Sequence, residues 1–254
     1  MDFQSVLEKR RSIRKFDTRP IPKEIVEAIL EAGRRAPSGS NIQPWRYVVV
    51  EDEAVRKRLR EASPLSFFAE APLLILACFD REAIKKMPER FAELTASDAF
   101  EDVTMDAGKV EALRAQRAND EVEKASYAVY NTAISVTHMD LTAVAHGLGT
   151  CWIGMFDKEK VREILGIDAR FGIVCALQIG YALQSPPPRP RLSMDDIVLQ
   201  EPRTAVLHRR GQQVEHLLSA PEGRARRCRS GSWLRFAEHR ASAEPHTREK
   251  QALW

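Results

Sequence analysis

Apolar residues recur at helical spacing in four stretches of this chain and form continuous runs in four others, and the two patterns alternate along it. Phe3, Val6 and Leu7 follow a helical period and lead into a basic cluster, so the first helix should carry its cations at its C-terminal end. Pro22 opens a second helix with the stripe Ile25, Val26, Ile29 and Leu30, and Gly33 before Ala36-Pro37 marks its end. From about Glu121 to His146 a pattern through Val122, Tyr127, Ile134, Met139 and Leu141, interleaved with alanines, predicts a long buried central helix. A short helix over Lys158 to Leu165 stops at Gly166. The continuous runs Arg46 to Val50, Pro72 to Phe79, Thr150 to Met155 and Gly172 to Tyr181 predict strands covered on both faces. Helices alternating with a four-stranded mixed sheet give an α+β sandwich.

Two regions depart from this rhythm. Residues 81–123 are rich in charge, broken at Met87-Pro88 and Asp106-Ala107-Gly108, and too thin in apolar residues for a core of their own, so they read as an insertion over one edge of the domain. Beyond Ile197-Val198 the pattern decays into Arg, His, Ser, Ala, Pro and Gly, a composition expected to be poorly ordered. The sequence therefore divides into a domain over 1–200 and a basic tail over 201–254, the latter either an unusual extension or the product of a shifted reading frame.

With 254 residues, 44% of them hydrophobic, the chain can bury a sizeable core. Its formal charge of +3 is uneven: residues 201–254 hold eleven Lys or Arg against six Asp or Glu, leaving residues 1–200 at about −2, which is not a nucleic-acid surface. The basic tail could bind an acidic surface, but it is sparse in aromatic residues and carries no DNA or RNA motif. No run of eighteen apolar residues and no export signal is present, so a cytoplasmic protein without a membrane span is expected. Cys78, Cys151, Cys175 and Cys228 stand far apart, and His138 and His146 lie eight apart, so neither a disulfide nor a metal site is expected. GxSxG, HExxH and P-loop patterns are absent, which removes the common hydrolase signatures.

Four motifs remain. Lys9-Arg10-Arg11-Ser12-Ile13-Arg14-Lys15-Phe16 combines guanidinium forks with a hydroxyl, the chemistry of an anion clamp; alone, it reads as a solvated basic helix end. Pro37-Ser38-Gly39-Ser40-Asn41-Ile42-Gln43-Pro44-Trp45 brackets neutral hydrogen-bonding side chains between two prolines; alone, it is a helix-to-strand connection with Asx-turn residues. Gly147-Leu148-Gly149-Thr150-Cys151-Trp152-Ile153-Gly154 is preceded by a helix and followed by a strand, the reverse of a dinucleotide fingerprint, so it marks a helix stop and a close backbone approach, with core packing an alternative for Trp152 and Cys151. Arg189 and Arg191 follow the stiff run Pro186-Pro187-Pro188, which is otherwise a proline-rich linker with stray charges.

Together these four motifs resemble the flavin-binding set of the nitroreductase family, over roughly residues 1–200. The resemblance implies a homodimeric three-layer α+β sandwich with a mixed four- to five-stranded sheet flanked by helices, and FMN at the subunit interface. It implies that Arg10 and Ser12 hold the flavin phosphate, with Arg14 in reach of the phosphate or the pyrimidine edge and Arg11, which alternates away from Arg10, either joining them or facing solvent. Pro37, Ser38, Gly39, Ser40, Asn41 and Gln43 would reach a flavin held mainly by the other subunit, Trp152, Ile153 and Gly154 would pass the ring, and Arg189 and Arg191 would complete the clamp. The implied activity is NAD(P)H-dependent reduction of nitroaromatic, quinone or related acceptors in a ping-pong scheme, with no obligatory catalytic side chain. A flavin-binding module of the same fold with specialised or little reductase activity, such as a dehalogenase, a flavin destructase or a carrier, is the alternative. Residues 81–123 would then act as the lid.

Overall fold

The computed structural model describes residues 1–199 apart from 98, 100–103 and 119, so the expected tail over 201–254 lies outside the described residues. The chain divides into a unit over Met1–Leu192 and a second over Ser193–Trp254. In the second, the described part is one turn of helix, α8 (Met194–Ile197), whose Ser193 hydroxyl accepts from the Asp196 amide.

The first unit is built on four strands, β1 (Trp45–Val50), β2 (Leu73–Asp80), β3 (Gly149–Ile153) and β4 (Phe171–Gly180), in the order β1-β2-β4-β3. All three pairings are antiparallel, with Val48 opposite Leu76, Ile75 opposite Leu177 and Cys151 opposite Gln178. The expected mixed sheet is therefore corrected to an antiparallel one, joined in parallel only by the isolated Ser12–Thr150 bridge, a rudimentary fifth strand. The continuous apolar runs predicted strands covered on both faces, and helices on each face do the covering. Every residue of β2 is buried. Its Leu73, Ile75 and Ala77 pack with Val26, Ile29, Val136 and Met139 of α2 (Lys23–Arg34) and α6 (Glu121–Ala145). Leu74, Leu76 and Cys78 face Leu59 of α3 (Glu53–Arg60) and Val161 of α7 (Lys158–Leu165). That alternation yields three layers.

The helix ends obey local chemistry. Asp2 caps α1 (Phe3–Lys9), Asp52 caps α3, Asp120 caps α6 and Asp157 caps α7, each accepting backbone amides of the first turn. Gly166, at φ +63°, ends α7 in the left-handed conformation. At Gly33 an added Cβ would stand 2.9 Å from Met139 Cγ, so this glycine lets α2 and α6 approach closely.

The long helix α6 is less buried than its pattern suggested. Tyr127 and Met139 are buried, but Val122 and Ile134 are exposed and Leu141 half-buried, because the helix has one face on the sheet and a second apolar face turned to solvent. The charged insertion holds a 3₁₀ turn (Ala83–Lys86) and two further helices, α4 (Met87–Ala96) and α5 (Ala107–Ala118). Its Met87 packs with Ile42 and Tyr127. Among the described residues no helix is long and apolar enough to cross a membrane.

Candidate functional site

The segment after α1 leaves the helix at Arg10 and runs beside the edge strand β3, with the Ile13 amide donating to the Thr150 carbonyl at 2.8 Å. Arg10 turns its guanidinium toward α6, where Nη1 lies 3.8 Å from Asp140 Oδ2. That nitrogen is buried yet lacks a hydrogen-bond acceptor. Asp140 is itself buried, 4% exposed, and accepts from the Thr150 hydroxyl on Oδ1 and from Trp152 Nε1 on Oδ2, the latter at 3.0 Å. Burial pushes its carboxyl above the ordinary aspartate range, opposed by the Thr150 hydrogen bond, the Arg10 charge and the Trp152 hydrogen bond. Leu7, Arg10, Thr137, Asp140, Leu141 and Trp152 line an open cleft of about 370 Å³.

Its neighbours in sequence go elsewhere. Arg11 caps α1, Nη1 donating to the carbonyls of Glu8 and Arg10 at 2.5 and 2.7 Å, and it lines a second cleft of about 290 Å³ with Lys9, Ile13, Gln184 and Pro186. Ser12 is half-buried in the bridge to Thr150. Arg14 lies over the Phe67 ring at 5.4 Å, on the sheet face opposite α6.

Residues 37–43 form a tight, strained loop. Ser40, Asn41 and Gln43 all take positive φ, at 49°, 51° and 45°, which side chains other than glycine or asparagine rarely adopt. The loop is held from below: the Gly39 amide donates to Asn131 Oδ1 at 2.9 Å, and Asn131 Nδ2 donates to the Tyr127 carbonyl at 2.7 Å. Within the loop Ser38 Oγ accepts from the Gln43 amide, and Gln43 Nε2 donates to Asn41 Oδ1. Pro37 is exposed. Asn131 and Asp140 are nine residues apart on one helix, so about 13 Å separates the loop's anchor from that of Arg10.

After α6, Gly147 takes φ +79° and Gly149 leaves no room beside Ile13, where an added Cβ would meet Cγ1 at 2.7 Å. This is the helix stop and close approach expected of the glycines. Trp152 is half-buried in the first cleft, Ile153 is buried in the core, and Gly154 is exposed with nothing within 4 Å of an added Cβ. Cys151 is buried, as are Cys78 and Cys175, whose thiols burial pushes up to about 11 and about 12. Those are packing residues.

Beyond β4 the chain returns beside residues 15–17, the Asp17 amide donating to the Tyr181 carbonyl at 2.9 Å and the Leu183 amide to the Lys15 carbonyl at 3.0 Å. Arg189 and Arg191 follow, exposed, with Arg191 Nη1 donating to the adjacent Pro190 carbonyl. Among the described residues neither makes a hydrogen bond or ion pair with Arg10 or Ser12. One chain thus brings together Arg10, Ser12 and Trp152 around Thr150, and leaves the 37–43 loop apart from them. Asp140 and Asn131 were missed by sequence reasoning, because polar residues recur along the whole of α6 and only the structure shows that Asn131, Thr132, Ser135 and Asp140 are the buried ones.

A family model described as the nitroreductase family matches residues 7–181. An NADH dehydrogenase of Thermus thermophilus is 33% identical over 201 residues, covering 78% of this chain and 96% of its own. YdgI of Bacillus subtilis, which carries the description of an NAD(P)H nitroreductase, is 31% identical over 77% of this chain and 96% of its own. A protein of Exiguobacterium sibiricum described as a nitroreductase and solved in complex with FMN superposes with a TM-score of 0.66 at 26% identity, covering 79% of this chain and 98% of that one.

Proposed function

Because the chain belongs to the nitroreductase family, we propose that it is an FMN-dependent oxidoreductase that takes electrons from NADH or NADPH and passes them to a small acceptor such as a nitroaromatic or a quinone. The observation that carries the reading is Arg10 Nη1, a buried cationic donor with no acceptor beside a Coulombic partner, which suits a phosphate oxygen. The rest of the set fits the group in kind. Ser12 offers a hydroxyl beside Arg10, and the neutral polar side chains of Ser38, Asn41 and Gln43 suit the carbonyl and ring-nitrogen edges of an isoalloxazine. Gly154, open on its Cα, lets a flat ring approach the backbone at the end of β3.

In this reading bound FMN supplies the two-electron exchange between the nicotinamide and the acceptor in a ping-pong order. The chain's own part is to fix the phosphate with Arg10 and Ser12, to present neutral donors and acceptors from the strained loop, and to leave one face of the site open for the two substrates in turn. No side chain is assigned an obligatory proton transfer. Arg189 and Arg191, exposed, would add positive charge for the phosphate, whereas Arg11 serves α1 and Arg14 lies over Phe67 on the other sheet face.

A second copy of the chain belongs to the proposal. Phe3 and Leu7 of α1 and Tyr130 and Ile134 of α6 are exposed, 66%, 46%, 48% and 36% respectively, an apolar surface of the kind that association covers. Packed against it, the partner would offer its 37–43 loop to the Arg10 site, bridging the 13 Å that separates the two along α6.

The test is direct. The purified chain should show a flavin spectrum, bleach with NADH or NADPH in the absence of oxygen, and regain its colour on adding a quinone or nitroaromatic. A chain that cannot be reconstituted with FMN defeats the proposal, and one that binds flavin but is not bleached by either nicotinamide is a carrier.

A further inference from the structure

Resting on the reading of Arg10 as a phosphate ligand, the geometry points to Asp140 as a positioning residue that aims the Arg10 guanidinium at the flavin phosphate. Asp140 sits nearly fully buried on α6, and each of its oxygens accepts a hydrogen bond from a neutral donor, the Thr150 hydroxyl and the Trp152 indole. An asparagine could satisfy both, its oxygen accepting from the indole and its amide donating to the threonine oxygen, so neither bond explains a charge at this position. The cation it faces does. At 3.8 Å the contact is too long for a hydrogen bond and acts through charge alone. Arg10 is therefore steered, while its Nη1 hydrogens stay available.

A long side chain just past a helix end loses much rotamer freedom when it meets a ligand, and a fixed counter-charge removes part of that loss beforehand. Arg10 Nη1 makes no hydrogen bond to the carboxylate it faces, so a phosphate can bind it without displacing one. Thr150 also accepts the Ile13 amide at its carbonyl and bridges Ser12. One residue of β3 thus sets both the carboxylate and the backbone on which the serine rides.

The experiment measures dissociation constants of FMN and of riboflavin, which lacks the phosphate, for the full chain, for Asp140→Asn, for Arg10→Ala and for the double variant. The wild-type chain should prefer FMN. Asp140→Asn should lower that preference roughly fivefold, the scale of a partly buried ion pair, by weakening FMN while riboflavin binding holds. In the Arg10→Ala background the same change should do nothing further. Weakening of both ligands alike makes Asp140 a structural residue, tighter FMN binding makes it a competitor of the phosphate, and an effect that persists without Arg10 means that it acts elsewhere; each overturns the inference. Should Asp140→Asn fail to fold, Thr150→Val, which unfastens the carboxylate at nearly constant shape, should lower the preference in the same direction, and an unchanged preference there overturns the inference too. Wild-type binding that ignores the phosphate, or a preference that Arg10→Ala leaves undiminished, brings down the clamp reading itself. A preference abolished by Arg10→Ala and untouched by Asp140→Asn brings down this inference alone.

Discussion

The amide of Gly39 donates to Oδ1 of Asn131 at 2.9 Å across 92 positions of sequence, and the same asparagine donates its Nδ2 to the Tyr127 carbonyl at 2.7 Å. A loop holding three left-handed residues is thereby fixed to the middle of the longest helix. Such strain persists only where the surroundings over-determine it, and Asn131, 1% exposed, is the main tie.

Replacing Asn131 by leucine should therefore cost about 1 kcal/mol of unfolding free energy, because the Gly39 amide loses its acceptor. Gly39→Ala should act on the same loop from above, since its Cβ would stand 2.0 Å from the Tyr127 hydroxyl oxygen. Tyr127→Phe, which deletes that oxygen, should restore part of the stability of Gly39→Ala. Denaturant unfolding of the three variants checks this, and no rescue means that the collision is relieved by movement of the loop instead.

Asp80 is a buried carboxylate that should contribute to the acid limb of stability. It is 1% exposed, accepts from Arg170 Nε at 2.8 Å and from Arg170 Nη2, and also meets the Glu82 amide and, at 3.5 Å, Arg46. The Arg170 hydrogen bonds hold its carboxyl below the ordinary aspartate value. A depressed pKa means that the stabilisation is present above the unfolded-state value, about 3.9, and is lost as pH falls through the folded one. Asp80→Asn should lower stability by about 2 kcal/mol at pH 7, less than a fully buried pair because Arg170 is half exposed. The gap between variant and wild type should narrow as pH falls below about 3.9 and through the depressed folded value.

For Asp140 the sign is opposite. Its carboxyl is pushed up by burial, so the folded state holds the proton more tightly than the unfolded one, and the ionised group opposes folding above the raised value. Asp140→Asn should be as stable as the wild type below pH 4 and gain on it as pH rises. Thermal unfolding between pH 3.5 and 7 checks the trend, and a wild type that gains on the variant instead would give the carboxylate a net stabilising role.

The apolar surface of α1 and α6 is tested by Ile134→Asp. A charge at a contact between two copies should shift sedimentation toward the monomer and release bound flavin, with little effect on the fold because Ile134 is 36% exposed in the single chain. An unchanged assembly places the contact elsewhere.

Much of the fold was legible because period and punctuation agreed. Pro22 opened α2, Gly166 ended α7, and the apolar runs marked all four strands, whereas Gly33, expected to stop α2, lies inside it against Met139. Strand direction was not legible, since a run buried on both faces looks the same in either sense. Helix α3 escaped because Arg56, Lys57, Arg58 and Arg60 crowd it, leaving Val55 and Leu59 to mark its inner side. Around the site, the motifs identified which segments matter but not their internal division of labour. Arg10 and Arg11 are adjacent and alike, yet one faces Asp140 and the other closes α1, a difference set by the exit angle of the helix and by a carboxylate 130 positions away.

The parallel bridge between Ser12 and Thr150 lies along β3, the outermost strand on its side of the sheet. An uncovered border strand is a template for foreign chains, so the residues proposed to grip the cofactor should also guard against aggregation. Losing the ligand and losing solubility should accordingly be linked in this molecule, and variants that loosen residues 10–14 should be sought among those that precipitate as well as among those that lose colour.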